Sequence, residues 1–102
     1  MLIRVADPEK PPFQLRKREE GISVFDTDAV SPSLTEDEIL AAFRTGSQIV
    51  HISSEQITAI GLAVERVLGA ESLPPRLRDA HMEIRPGLNM TRPQFKQALK
   101  EL

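Results

Sequence analysis

One local pattern occurs three times in this chain and fixes where its helices begin. An apolar residue precedes Ser or Thr, Glu or Gln stands three positions after the hydroxyl, and a second apolar residue follows. The copies are Leu34-Thr35-Glu36-Asp37-Glu38-Ile39, Ile52-Ser53-Ser54-Glu55-Gln56-Ile57 and Met90-Thr91-Arg92-Pro93-Gln94-Phe95. Each reads as a capping box, in which the hydroxyl accepts from the N3 amide and the N3 side chain accepts from the N-cap amide. The flanking apolar pair closes over the helix start as a hydrophobic staple. In the second copy Ser54 offers an alternative cap one residue later.

From these starts the spacing predicts helices over 36–44, 54–68 and 92–102. Glu36, Asp37 and Glu38 lie at the positive end of the first, where acids are favoured. Gly46 and Gly69 are the expected stops of the first two helices. Pro93 is tolerated in the first turn of the third. Ile57, Ile60, Val64, Val67 and Leu68 share one face of the long middle helix. The stretch from Ser47 to Gly69 is the most apolar of the chain and is expected to seed the core, with Val50 and Ile60 inside it.

Strand patterns fill the gaps. Phe13 and Leu15 alternate with Gln14 and Arg16, and Ile22, Val24 and Phe25 are bounded by Gly21 and Asp26. These read as two strands joined by a charged turn. Gln48–Ile52 is apolar on both faces apart from His51, which predicts a place near the middle of the sheet. His81–Arg85 alternates between Met82 and Ile84 on one face and His81, Glu83 and Arg85 on the other. In front stand an apolar stub, Leu2-Ile3-Arg4-Val5, and a connector stiffened by Pro8, Pro11 and Pro12. The expected organisation is therefore a stub and connector over 1–12 and a single α+β domain over 13–102. Its order is β-β-α-β-α-β-α, with a short helical turn near 75–80. The predicted architecture is a small sheet of about four strands with three helices packed mainly on one face.

A chain of 102 residues with 40% hydrophobic and 27% charged residues suits one globular domain. It has no cysteine, which excludes disulfides, thiolate metal sites and a cysteine nucleophile. The N-terminal stretch lacks the apolar run of a signal peptide, and nothing approaches the roughly 20 apolar residues of a membrane span. A cytoplasmic protein without membrane contact is expected. The net charge is −2 and the only aromatics are four Phe, which weighs against nucleic-acid binding. There is no glycine-rich phosphate loop, so no cofactor is expected.

Polar residues that could carry chemistry concentrate on one strand. His81, Glu83 and Arg85 occupy alternate positions, so an acid, a base and a cation project from one face. The plainer reading is a solvated strand face with cross-strand charge pairs. His51, alone in an apolar run, reads as a satisfied structural histidine. Two histidines are too few to define a zinc centre, since catalytic zinc takes three protein ligands, and no metal site is expected. Arg16 and Arg85 are the candidate anion-binding cations. The order of Arg16, Ser23 and Glu83 resembles that of the ADP-ribosyltransferases, which carry Arg on a first strand, Ser on a second and Glu on a late strand. This chain is shorter than that fold. The resemblance implies Ser23 and Glu83 as candidate catalytic residues, and the polar strand face adds His81.

The leading expectation is a non-catalytic module that binds a protein partner or a second copy of itself. The final helix prompts the second option, because its stripe of Phe95, Leu99 and Leu102 needs cover and a twofold dimer would supply it. The alternative is a small enzyme or a nucleotide- or anion-binding domain. A pocket joining Arg16 and Arg85 to His81 or Glu83 would mark the alternative.

Overall fold

The computed structural model describes residues 1–67 and 71–102. Its strands are β1 (Leu2–Ala6), β2 (Ile22–Asp26), β3 (Gln48–Ile52), β4 (Ala63–Arg66) and β5 (His81–Arg85), and its helices are α1 (Glu36–Leu40), α2 (Ser54–Ala59), α3 (Pro75–Ala80) and α4 (Arg92–Leu99). The strands form one sheet in the order β3-β1-β2-β5-β4, and every pairing is antiparallel. The fold is thus α+β as expected, with five strands and four helices where about four and three were predicted.

Alternate residues of each strand sort into two apolar clusters, as the two-residue period of a strand requires. Leu2, Ile22, Val24, Ile52 and Ile84 join Ile57 of α2 and Phe95 and Leu99 of α4. Ile3 and Phe25 join Ile39 of α1 and Leu77 and Ala80 of α3. The helices therefore cover both faces of the sheet, which refines the expectation of packing mainly on one.

All three predicted caps form. The hydroxyls of Thr35, Ser53 and Thr91 accept from the amides of Glu38, Gln56 and Gln94. The reciprocal side-chain bond closes the box at Gln56 and Gln94. Glu38 turns instead to Arg76 of α3, whose Nε lies 2.7 Å from its carboxylate. This hydrogen bond holds the Glu38 carboxyl below its ordinary pKa and ties the two helices on that face together.

The middle helix is much shorter than its apolar spacing suggested. Ile60 leaves the helical region and Gly61 takes φ +82. The Gly61 amide then donates to Thr58 O and the Leu62 amide to Ile57 O, which is a Schellman stop. Ile57 and Leu62 pack together in the core, the apolar contact that accompanies this motif. The chain then re-enters the sheet as β4. The stop expected at Gly69 lies outside the described residues. The first helix likewise ends at Leu40 rather than Arg44.

Two strand placements also change. The stub is an interior strand, with β1 between β3 and β2, while β3 lies at the edge. The two-sided apolarity of β3 arises because Ile49 packs towards one cluster and Val50 and Ile52 towards the other, which an edge strand covered on both faces satisfies as well as a central one. Residues 13–16 form no strand. Phe13 and Leu15 are buried and Gln14 and Arg16 exposed, as the alternation predicted, but no neighbouring strand takes up their backbone groups.

Two arginines hold that segment in place. The β1–β2 ladder ends after Leu2↔Asp26 and Ile3↔Phe25. Arg4 fills the opening beyond it, with Nε donating to Pro12 O at 2.9 Å and Nη1 to Ser23 O at 3.0 Å. Burial lowers the pKa of this guanidinium from its ordinary value. At the other end Arg92 donates to the carbonyls of Glu19 and Arg16, each at 2.7 Å, and to Lys17 O at 3.2 Å. Side-chain donors thus do for residues 12–19 what a strand ladder would otherwise do.

Candidate functional site

The central β2–β5 ladder builds the polar face. Its register sets Ser23 opposite Glu83 and Phe25 opposite His81. Ser23, His81, Glu83 and Arg85 consequently share one side, as the alternation in β5 predicted. His81 Nε2 lies 3.0 Å from Ser23 Oγ, and Arg85 Nε donates to Glu83 Oε1 at 2.8 Å. Arg85 Nη1 also stands 3.6 Å from Glu20. Gly21 keeps the approach to this pair open, since a Cβ there would meet Glu83 Oε1 at 2.7 Å and Ile84 O at 2.8 Å.

The Ser23–His81 distance is that of a nucleophile and its base. Yet His81 is only 7% exposed, and its Nδ1 is buried without a hydrogen-bond partner among the described residues. A base in such a pair is normally oriented by a third group at that nitrogen. The tautomer that leaves a bare lone pair there, rather than a stranded N–H, has Nε2 donating to Ser23 Oγ. In that state the contact satisfies a buried ring and does not activate the hydroxyl. The Phe25 ring, with its centroid 5.6 Å from that of His81, closes the site further.

Ser23→Ala therefore leaves the imidazole without a partner and is expected to cost about 1–3 kcal/mol. Adding His81→Leu in the same chain should return part of that loss, because no buried polar group then remains unpaired. A double-mutant cycle by urea denaturation checks this. Additive losses would show that the contact carries no coupling.

Arg85 is engaged by Glu83 and Glu20, whereas Arg16 borders a hollow of about 20 Å³ shared with Arg4 and the proline connector. His51 and His81 lie on β3 and β5, three strands apart in the sheet order, or roughly 14 Å. No cluster of three or more His, Asp or Glu side chains able to hold a metal forms among the described residues. Exposed His51 instead faces Glu36, with Nε2 3.5 Å from its carboxylate.

Two open grooves flank the core. One, of about 450 Å³, runs between Pro11–Leu15 and the last turns of α4. The other, of about 620 Å³, lies over Leu2, Ile52, Val64 and Met82 at the start of α2. The stripe of α4 is docked on the chain's own core, with Phe95 at 2% and Leu99 at 3% exposure. Leu102 is partly buried against the same cluster and borders the first groove.

The sequence reading did not single out the outer edge of β3. Among the described residues this strand has β1 as its sole strand neighbour. It carries no acidic, Lys or Arg residue over Gln48-Ile49-Val50-His51-Ile52, and Ile49 and Val50 remain half-buried. The opposite edge, β4, carries exposed Glu65 and Arg66. The signal in the sequence was the uncharged run itself, which central strands share.

No family model, curated protein or solved structure matches the chain. Among the described residues no helix is long and apolar enough to cross a membrane.

Proposed function

We propose that the chain is a non-catalytic protein-interaction module that accepts a partner's strand along β3. One observation carries the reading: β3 presents an open edge of five residues without an acidic, Lys or Arg side chain. Exposed sheet edges are normally blunted by charge, proline or a bulge, because their unpaired N–H and C=O groups template another strand. Here β4 has that protection and β3 does not. Strand addition draws its affinity from main-chain hydrogen bonds, with side-chain pockets adding specificity.

The enzymatic alternative has the Ser23–His81 contact in its favour. Against it, the charged groups of that face are taken up by one another, and the histidine is buried against Phe25.

The test uses a fluorescently labelled peptide of alternating threonine and valine titrated with the protein. Saturable binding is expected for the natural chain and none for the Gln48→Lys/His51→Lys variant. Both positions are exposed, so the variant should melt like the natural protein. A lysine at 51 also places a cation beside Glu36. Anisotropy that never rises, or that rises equally with the variant, overturns the reading.

A further inference from the structure

We propose that the strand received by β3 is β3 of a second copy, paired antiparallel about a twofold axis at Val50. The inference rests on β3 being the accepting edge and adds the occupant and the register. Pairing about Val50 sets Gln48 against the second copy's Ile52, Ile49 against its His51, and Val50 against its Val50. All five positions are used and no carboxylate, lysine or arginine meets its like, which directly opposed charges would penalise.

The side chains fit the same arrangement. Cross-strand partners share a face, so the half-buried Val50 of each copy meets on the side of Leu2 and Ile52, extending that cluster across the axis. On the other side the half-buried Ile49 is covered by the second copy's imidazole. The edge left incomplete in one chain is thereby completed by the same edge of another.

Closure favours this occupant over β4 of a second copy. Pairing β3 with β4 would set Glu65 and Arg66 beside an apolar strand and leave a free β3 and a free β4 at the ends, so the sheet would grow without limit. The twofold pairing consumes both β3 edges at once. The joined sheet then ends on β4 at each side, the edge that already carries charge.

A cysteine-free chain makes the register directly readable. On the axis, residue 50 stands opposite its own copy with Cβ atoms about 5 Å apart, close to disulfide reach. Residue 48 stands four positions from its own copy, roughly 13 Å away. Under a glutathione redox buffer, Val50→Cys should therefore form a covalent dimer while Gln48→Cys should not. Sedimentation of the natural chain should show mass rising with concentration from 11.4 kDa to twice that value and no further, and Gln48→Lys/His51→Lys should stay at the monomer mass.

Several outcomes overturn the inference. Equal cross-linking from positions 48 and 50 would show random collision. Growth beyond the dimer would show β3 on β4. A natural chain that stays monomeric at every concentration yet still binds the threonine–valine peptide would remove the second copy and leave strand addition standing. A monomer that binds no peptide would remove both. Sedimentation decides the matter even if Val50→Cys fails to fold.

Discussion

Gly87→Ala is expected to destabilise the protein by about 3 kcal/mol, near the upper end of what overpacking a well-filled site costs. The β4–β5 register, which pairs Ala63 with Arg85, places Gly61 opposite Gly87 just beyond the ladder. A Cβ at 87 would overlap the Gly61 carbonyl oxygen, a backbone atom that no rotamer change can move. Gly61 is itself held by the Schellman stop of α2, and the Met90 side chain lies against both glycines. Room for the methyl must therefore come from the backbone, at the point where α2 hands over to β4 and β5 hands over to α4. Gly46→Ala is the control: nothing lies within 4 Å of its added Cβ, and its φ of +92 limits the loss to roughly 1–2 kcal/mol for left-handed backbone. Guanidinium melts compare the two. A Gly87→Ala midpoint at or above that of Gly46→Ala would refute the close backbone contact.

Phe95→Ala is expected to cost 3–5 kcal/mol, the usual range for deleting a buried phenylalanine. That is a large part of the 5–15 kcal/mol that holds a domain together. Phe95 sits at 2% exposure among Phe13, Leu15, Ile57 and Leu99, so its removal opens a cavity between α4 and the sheet. The same substitution separates a docked helix from an interface helix. If α4 is part of the monomer core, the variant loses stability and keeps the association behaviour of the natural chain. If α4 were the dimer contact, the variant would lose association while its monomer melted nearly unchanged. Thermal melts at two protein concentrations read both quantities.

The parts of the fold legible in the sequence are those written in local chemistry. The capping boxes at Thr35, Ser53 and Thr91 begin α1, α2 and α4 where they were expected. The runs Ile22–Phe25, Gln48–Ile52 and His81–Arg85 are strands. What was misread depends on partners distant in sequence. Ile60 and Val64 fit a helical face and, with Leu62 between them, an alternating strand about equally well, and the left-handed Gly61 decides between them. Phe13 and Leu15 alternate like a strand but are held by Arg4 and Arg92, whose sequence positions give no sign of the carbonyls they reach. β3 reads as central because it is apolar on both faces, and only the sheet order shows it to be an edge.

The polar face was legible for the same local reason. Alternation alone puts His81, Glu83 and Arg85 on one side, and the ladder then adds Ser23. Arg16 could not be placed from its sequence neighbours, because its segment is not part of the sheet. The burial of His81 was also hidden, since its neighbours Phe25 and Ser23 are brought beside it only by the β2–β5 ladder.

Amide hydrogen exchange across β3, followed residue by residue at low and high protein concentration, tests the open edge most directly. In an antiparallel strand alternate N–H groups point to opposite sides, so some β3 amides bond β1 and the rest face outward. The outward β3 amides should exchange fast in dilute solution and become protected as concentration rises, while those of β4 stay fast throughout. In Gln48→Lys/His51→Lys the outward β3 amides should exchange fast at both concentrations. Outward β3 amides that exchange equally fast at every concentration, or protection that grows on β4 or α4 instead, would contradict pairing at this edge.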